Sequence, residues 1–256
     1  MVKAKKKPAG KKQPKKKKKK NTRAILIWSS ILIGLIALVT LGLVTGQKGS
    51  LGIDVSHHQG KIDWKAVALQ GDIKYAFIKA TEGKTVVDDK YRTNRDEARR
   101  QGIPVGAYHF FSTRSSGKEQ FAHFQRIVGR DIDLKPVLDL EELGGKITDE
   151  AAYHREVTAW IDACHDYYGC YPIVYASPSF LKDHHLRKVI ADCPYWIAWY
   201  ARLPRFFTSH RRLLQTTHPN PPALLWQYTE RGRHSGIKGY VDMNECWEVQ
   251  ELKMKE

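Results

Sequence analysis

Acidic residues are missing from the first part of the sequence, and this absence divides the chain. Residues 1–23 contain 12 lysines and Arg23 but no aspartate or glutamate, and residues 24–45 contain no charged side chain. Subtracting those 13 positive charges from the formal net charge of +16 leaves +3 for the remaining residues. The strong basicity is therefore confined to a lysine-rich tail, which has too few apolar residues to form a core.

The uncharged stretch is long enough to cross a membrane. Its 22 residues would span about 33 Å as a helix, against a hydrocarbon thickness of about 30 Å. Because positive residues favour the cytoplasmic side, we predict a basic cytoplasmic tail over 1–23, a transmembrane helix over 24–46 and an exported domain over 47–256. We expect the helix to contact the lipid bilayer of the bacterial cytoplasmic (inner) membrane, with the domain in the periplasm or outside the cell.

Two other interpretations of the N-terminus stay open. A cleaved signal peptide would have a shorter apolar part, and Val44-Thr45-Gly46 offers only a weak cleavage site. The lysine-rich tail could bind nucleic acid, but orientation in the membrane and contact with anionic lipid explain it more simply. No cysteine lies near the apolar stretch, which argues against a lipid-modified anchor. We therefore expect no nucleic-acid partner.

Cysteine is scarce, with four residues, and all four fall in the expected exported domain. An even number in an oxidising compartment is compatible with disulfides. Cys170 and Cys193 both come just before consecutive predicted strands, so they are the favoured pair. Buried free thiols are the alternative.

Short apolar runs alternate with helix-like segments after residue 50. Such alternation indicates parallel βαβ units, and eight runs in about 195 residues indicate an α/β fold, an irregular β/α barrel of the TIM type. Helices are expected at Trp64–Gln70, Lys90–Gln101, Lys118–Arg130 and Asp149–Tyr167. The runs are Leu51–Val55, Tyr75–Ala80, Val105–Phe110, Val137–Leu140, Ile173–Ala176, Trp196–Tyr200, Leu224–Tyr228 and Gly239–Met243.

Two carboxylates interrupt the fourth run. Asp139 and Glu141 are two residues apart, so on a strand they share one face at about 6–7 Å. A buried carboxylate is costly unless it is paired, and glycoside hydrolysis uses paired carboxyls. The alternative is a strand that runs into a solvated acidic turn, with Glu142 as part of it.

Chemically capable residues recur where the other runs end. Active sites of such barrels lie at the carboxyl ends of the strands, and aromatic rings there suit the apolar faces of sugars. Each aromatic residue could instead simply fill the core. The candidates are Asp54, Tyr108, Tyr175, Trp199, Tyr200, Gln227 and Asp242.

A metal is not expected. Asp54, His57, His58 and His109 could be imagined as ligands of a metal-dependent deacetylase. Adjacent His57 and His58 would point in opposite directions on a strand, and the sequence has no His-x-x-x-His pattern. We therefore predict neither metal nor cofactor.

These motifs, taken in order, resemble glycoside hydrolase family 25, the muramidases that cleave peptidoglycan. The similarity covers about residues 51–246. The segments that carry it include Gly52-Ile-Asp54-Val-Ser, Phe77-Ile-Lys-Ala-Thr-Glu-Gly83, Gly106-Ala-Tyr-His-Phe110, Leu138-Asp-Leu-Glu141, Trp196-Ile-Ala-Trp-Tyr200, Trp226-Gln-Tyr228 and Gly239-Tyr-Val-Asp-Met-Asn244.

The resemblance implies an irregular barrel, a monomer acting on peptidoglycan glycan strands, and roles for four acids. Glu141 corresponds to the general acid, and Asp139 to an ionised residue that orients the substrate's 2-acetamido group. Asp54 and Asp242 support them, while a carboxylate acting directly as nucleophile or base stays open. Other open functions are an anchored glycan-binding module and a chitinase-like hydrolase. The basic loop Arg202–Pro222 is expected to contact carboxylates of the substrate.

Overall fold

The computed structural model describes residues 27–34, 49–200 and 223–254. The chain divides into two compact units, Met1–Val44 and Thr45–Glu256. In the first unit, residues 27–34 form a helix, α1, whose side chains are exposed. No helix of the described residues is long and apolar enough to cross a membrane. The basic tail and the remainder of the expected anchor lie outside the described residues, as does the whole of the loop Arg202–Pro222.

The described residues of the second unit form nine strands. Each of the eight predicted runs corresponds to a strand, and only the two-residue strand β3 was not anticipated. The strands are β1 (Ser50–Val55), β2 (Ile73–Glu82), β3 (Val86–Val87), β4 (Val105–Phe110), β5 (Val137–Asp139), β6 (Ile173–Ala176), β7 (Tyr195–Ala198), β8 (Ala223–Gly232) and β9 (Val241–Cys246).

Eight of these strands close into a barrel. They are ordered β1-β9-β8-β7-β6-β5-β4-β2, and β2 pairs with β1 to complete the ring. Every neighbouring pair from β1 through β2 and β4 to β8 is parallel, but β9 is antiparallel to both β8 and β1. The expectation of parallel units throughout is therefore wrong for β9. An eight-residue connection leads from β8 to β9, too short for a crossover helix, so the chain turns back as a hairpin.

Helices pack around the early strands, and the first four of the five given below lie at the predicted positions. The start of α5 is capped by Asp149, whose carboxylate accepts the Ala152 N–H at 2.9 Å. Ser116 and Glu119 form a capping box at the start of α4. The helices are α2 (Trp64–Gln70), α3 (Tyr91–Arg100), α4 (Gly117–Val128), α5 (Glu150–Tyr168) and α6 (Pro178–Asp183).

The core has two parts, one inside the barrel and one between barrel and helices. Strand alternation along β2 sends Tyr75 and Phe77 inward and Ala76 and Ile78 outward. Gly52 faces the Tyr75 ring so closely that a Cβ would overlap it. The aromatic filling closes the lower barrel and leaves an open mouth at the carboxyl ends of the strands.

The four cysteines are free thiols. Cys193 is buried in the outer core, and Cys170 Sγ lies 3.9 Å from Met254 Sδ. Burial raises the pKa of Cys193 to about 12, which keeps it protonated and unreactive. The expected Cys170–Cys193 disulfide is therefore wrong for this structure, which has the alternative of free thiols.

Candidate active site

A cleft of about 270 Å³ opens at the barrel mouth. It collects residues from strands β1, β2 and β4 to β8 or from just beyond their carboxyl ends, and from the beginning of β9. All four predicted acids line it, together with the half-exposed Glu230. Lys79 is the one lysine among the described residues that line the cleft.

The end of β5 delivers two of the acids. β5 stops at Asp139, but Glu141 keeps an extended backbone (φ −137°, ψ 161°) before a short 3-10 helix begins. Alternation therefore continues: Leu140 is fully buried, and Glu142 is exposed. The Leu140 N–H donates to Tyr175 O at 2.9 Å, which fixes this turn to β6. Asp139 and Glu141 meet in the cleft, as the sequence predicts.

The other two acids are cross-strand partners. Asp54 of β1 pairs in register with Asp242 of β9. Sequence reasoning placed Asp242 at the end of a parallel strand, whereas it is the second residue of an antiparallel one. Because β9 runs in the opposite direction, its first residues reach the same edge as the last residues of β1. Asp242 therefore lies at the predicted edge of the barrel, but the parallel strand direction from which its position was predicted is wrong.

Asp54 is held by two side-chain amides. Asn244 Nδ2 donates to its carboxylate at 2.7 Å, and Gln227 Nε2 donates at 3.1 and 3.2 Å to its two oxygens. Gln227 Oε1 in turn accepts the hydroxyls of Tyr175 at 2.8 Å and Tyr200 at 2.6 Å. Gln227, predicted to bind substrate, is buried with both ends of its amide occupied. Its role in this unliganded cleft is to position Asp54.

Asn244 was not among the predicted site residues. It is fully buried, and its Oδ1 accepts Trp196 Nε1 at 2.9 Å, which fixes which end of the amide faces Asp54. The signal was available, because Asn244 follows Asp242 by two residues and must share its face on a strand.

The predicted aromatic residues divide into two groups. Tyr108, Tyr175 and Tyr200 line the cleft, whereas Trp199 is not among the described residues that do. Trp199 packs against the outer core, and its carbonyl accepts Trp226 Nε1 at 2.7 Å. Neighbouring residues on an extended chain face opposite sides, so Trp199 and Tyr200 could not both enter the cleft. Trp196 lines the cleft instead. It precedes Tyr200 by four residues, an even number, so both side chains face the same side of the extended chain.

Lys79 is a further residue that sequence reasoning missed. Its side chain is only 12% exposed and forms an ion pair with Glu82 at 2.8 Å. Its ammonium also lies 4.7 Å from the centre of the Phe110 ring. Lys79 follows Phe77 by two residues, so the inward alternation of β2 identifies it as facing the cleft.

The carboxyls raise one another's pKa values. Burial, and then the charge of Glu141, raise the pKa of Asp139 well above its usual range, against the opposing pull of Lys79. Burial also raises the pKa of Glu141, against a hydrogen bond from Tyr175. Burial and the Asp54 charge raise the pKa of Asp242 to about 9. The raised pKa of Glu141 suits the role of general acid that the resemblance implies. The raised pKa of Asp139 in the unliganded cleft does not favour the ionised form that was expected.

The histidines considered as ligands are engaged separately. His109 is fully buried on the helix side of β4, with Thr81 Oγ1 at 2.8 Å from Nδ1 and Gln120 Oε1 at 3.1 Å from Nε2. Burial lowers its pKa to about 3. His57 Nδ1 lies 2.7 Å from Asp88 Oδ2, while His58 lines the cleft. They do not form one cluster with Asp54.

Carboxyls with raised pKa, placed between tyrosine and tryptophan rings at a barrel mouth, suit acid catalysis on a sugar. The fold and the site together define the class of barrel glycoside hydrolases. The chain belongs to the glycosyl hydrolases family 25, whose sequence profile matches residues 53–237.

The chain is also similar to individual proteins over about three quarters of its length. The uncharacterized protein YegX of Escherichia coli K12 is 34% identical over 199 residues, covering 75% of this chain and 68% of that protein. Lysozyme M1 of Streptomyces globisporus is 33% identical over 208 residues, covering 77% and 67%. The crystal structure of a bacterial lysozyme from Streptomyces coelicolor matches with a TM-score of 0.66 and 30% identity, covering 77% and 92%.

Proposed function

We propose that this protein is an N-acetylmuramidase, which cleaves the β-1,4 bond between N-acetylmuramic acid and N-acetylglucosamine in peptidoglycan. The observation that carries the proposal is the convergence of Asp54, Asp139, Glu141 and Asp242 in one cleft. The similarity to proteins named lysozymes supports the choice of substrate.

Glu141 is the general acid of the proposed reaction. It is half-buried at the cleft, and burial raises its pKa, which favours the protonated form that a general acid needs. It protonates the oxygen of the leaving sugar while the bond to the anomeric carbon breaks. It then takes a proton from the water that completes hydrolysis, because the group that gave the proton must recover it.

Asp139 orients the substrate's acetamido group in this proposal. Its Oδ1 is buried and has no hydrogen-bond donor among the described residues, so it can accept the acetamido N–H. That bond favours the ionised carboxylate and opposes the burial that raises the pKa of Asp139 in the empty cleft. The acetamido carbonyl oxygen then attacks the anomeric carbon. A direct carboxylate nucleophile remains the alternative mechanism.

Asp54 and Asp242 support the reaction from the opposite wall. Two amide donors favour the ionised form of Asp54, and Asp242 takes up the proton that the pair shares. A neutral Asp242 can donate or accept a hydrogen bond to the sugar without adding another negative charge to the cleft.

An assay of the full-length chain on bacterial sacculi and on chitin tests this function. The proposal predicts soluble fragments from sacculi whose new reducing end, identified by mass spectrometry, is N-acetylmuramic acid. Cleavage of chitin alone would indicate the chitinase-like alternative. Binding to sacculi without cleavage would indicate a glycan-binding module.

The N-terminal unit anchors the enzyme to the cytoplasmic membrane in our proposal. Its support is the charge pattern of residues 1–45, a basic tail followed by 22 uncharged residues. A reporter fused after Glu256 should be active only in an exported compartment. Activity in the cytoplasm would contradict the orientation, and a mature N-terminus near Gln47 would identify a cleaved signal peptide.

A further inference from the structure

The catalytic cleft is strongly acidic for an enzyme whose proposed substrate is itself acidic. Five carboxyl groups line it, and Lys79 is the one lysine among the described lining residues. Lys79 is already paired with Glu82 at 2.8 Å. A glycan that carries carboxylates would be repelled from this cleft unless cations at its rim compensate.

The β8–β9 hairpin provides such a cation. Gln227 pairs with Asn244, and farther along the hairpin Gly232 pairs with Val241. The hairpin therefore extends past Glu230 and Asp242, which line the cleft. Arg233 and Tyr240 are the residues immediately beyond its last strand pair.

Arg233 and Tyr240 contact each other. The guanidinium carbon of Arg233 lies 4.8 Å from the centre of the Tyr240 ring, and both side chains are exposed. Stacking uses the flat face of a guanidinium and leaves the N–H groups at its edge to bind a carboxylate. The contact also holds the long arginine side chain in place, which lowers the entropy lost on binding.

Tyr240 lies close to the cleft. It comes immediately before β9 and precedes Asp242, which lines the cleft, by two residues. Gln59 ties it to the opposite loop by donating to the Tyr240 carbonyl at 3.4 Å and accepting the Ser56 N–H at 2.9 Å. Ser56 itself lines the cleft.

We propose that Arg233 and Tyr240 form a rim subsite that binds a carboxylate of the stem peptide carried by the glycan. The inference rests on the proposed function. An exposed aromatic ring beside a cation suits a sugar with an acidic substituent. The neighbouring Arg231 is less suited, because its charge is paired with Glu230 at 3.7 Å.

The test measures binding separately from turnover. Sacculus binding is measured with full-length Glu141→Gln protein, with and without Arg233→Gln, and hydrolysis is measured with the single variant Arg233→Gln. Lys238→Gln is the matched control, because it removes the same charge from an exposed position in the same hairpin. The substrates are native sacculi, sacculi with chemically amidated carboxyls, and glycan strands freed of peptide by an amidase.

Arg233→Gln should weaken binding to native sacculi and raise KM by about two- to fivefold, the scale of an exposed charge pair. The turnover number should be unchanged. The effect should disappear on amidated sacculi and shrink in added salt. The effect should also be lost on peptide-free strands. If it persists there, the ligand is the lactyl carboxylate that the amidase exposes, and the assignment to the stem peptide is overturned.

An equal change on native and amidated sacculi would overturn the subsite, as would no change or an equal effect of Lys238→Gln. Tyr240→Ala should reproduce the loss, because it removes the support of the guanidinium. A wild-type chain that cleaves none of the three substrates would contradict the proposed function instead. The two failures are therefore distinguishable.

Discussion

Four carboxyl groups share one small cleft, and the protein gives each a different set of neighbours. Asp54 accepts two amide donors, whereas Asp139 has a buried oxygen with no donor among the described residues. Because hydrogen bonds to a carboxylate favour its charged form and burial opposes it, these neighbours set which groups hold protons.

Asn244 offers a residue-level test of this arrangement. Asn244→Ala removes the 2.7 Å hydrogen bond to Asp54, so the pKa of Asp54 should rise further and the proton shared with Asp242 should be redistributed. We expect the pH–activity profile to shift to higher pH and turnover to fall about tenfold or more, as for a lost charge-assisted hydrogen bond.

The pH profile separates this role from a structural one. Asn244→Ser keeps a side-chain donor and should restore part of the original profile. A loss of activity with an unchanged profile would mean that Asn244 serves the fold rather than the protonation of Asp54.

At the level of elements, the antiparallel strand β9 is the feature that completes the site. The sequence predicts eight strands and four of the major helices, because apolar runs and capping residues such as Asp149 are local signals. The direction of β9 depends on the length of the preceding connection and on pairing with both β8 and β1. Because these pairing partners are far apart in the sequence, the apolar pattern of Gly239–Met243 alone does not indicate the direction of the strand.

The same distinction applies within the site. Asp139 and Glu141 were predictable from the two-residue period of a strand. Trp199 was misplaced because that period was not applied to its neighbour Tyr200. Gln227 does line the cleft, but its hydrogen bonds to Asp54 and Tyr175 were not anticipated, because these partners come from β1 and β6. Side-chain partners from distant strands cannot be inferred from one segment alone.

The contact between α4 and α5 supports the barrel behind Asp139 and can be tested at one glycine. A Cβ on Gly117, the first residue of α4, would overlap the carbonyl oxygen of Glu156 in α5. Gly117→Ala should therefore separate the two helices and lower the free energy of unfolding by about 1–3 kcal/mol, as in other overpacked sites.

Urea denaturation of the full-length chain measures this effect. Lys118→Ala, at the exposed next position, should change the free energy of unfolding by less than about 0.5 kcal/mol. Equal stability of Gly117→Ala and the wild type would show that the helices are not packed so closely.

At the level of the whole molecule, the acidic cleft makes stability depend on pH. The pKa of Asp242 is raised from 3.8 to about 9 in the folded protein, so folding favours its protonated form. Its contribution to stability is complete below the unfolded pKa and declines as pH rises toward the folded value. The cleft therefore costs stability in alkaline solution.

Asp242→Asn replaces that carboxyl with a neutral group of the same shape. The variant should lose less stability than the wild type between pH 5 and about pH 9, as measured by urea denaturation across that range. Asp183→Asn, at an exposed position, is the control. If Asp242→Asn and Asp183→Asn both reproduce the wild-type pH dependence, Asp242 does not cause the loss of stability at high pH.

The most direct test of the catalytic assignment compares two adjacent glutamates. Turnover of sacculi is measured for full-length Glu141→Gln and Glu142→Gln. Glu141→Gln should lower turnover by about 10²–10⁴, the usual contribution of a general acid, while sacculus binding is retained. Glu142→Gln should have little effect, because its side chain is exposed outside the cleft. Near-normal turnover of Glu141→Gln, or a greater loss in Glu142→Gln, would contradict the assignment.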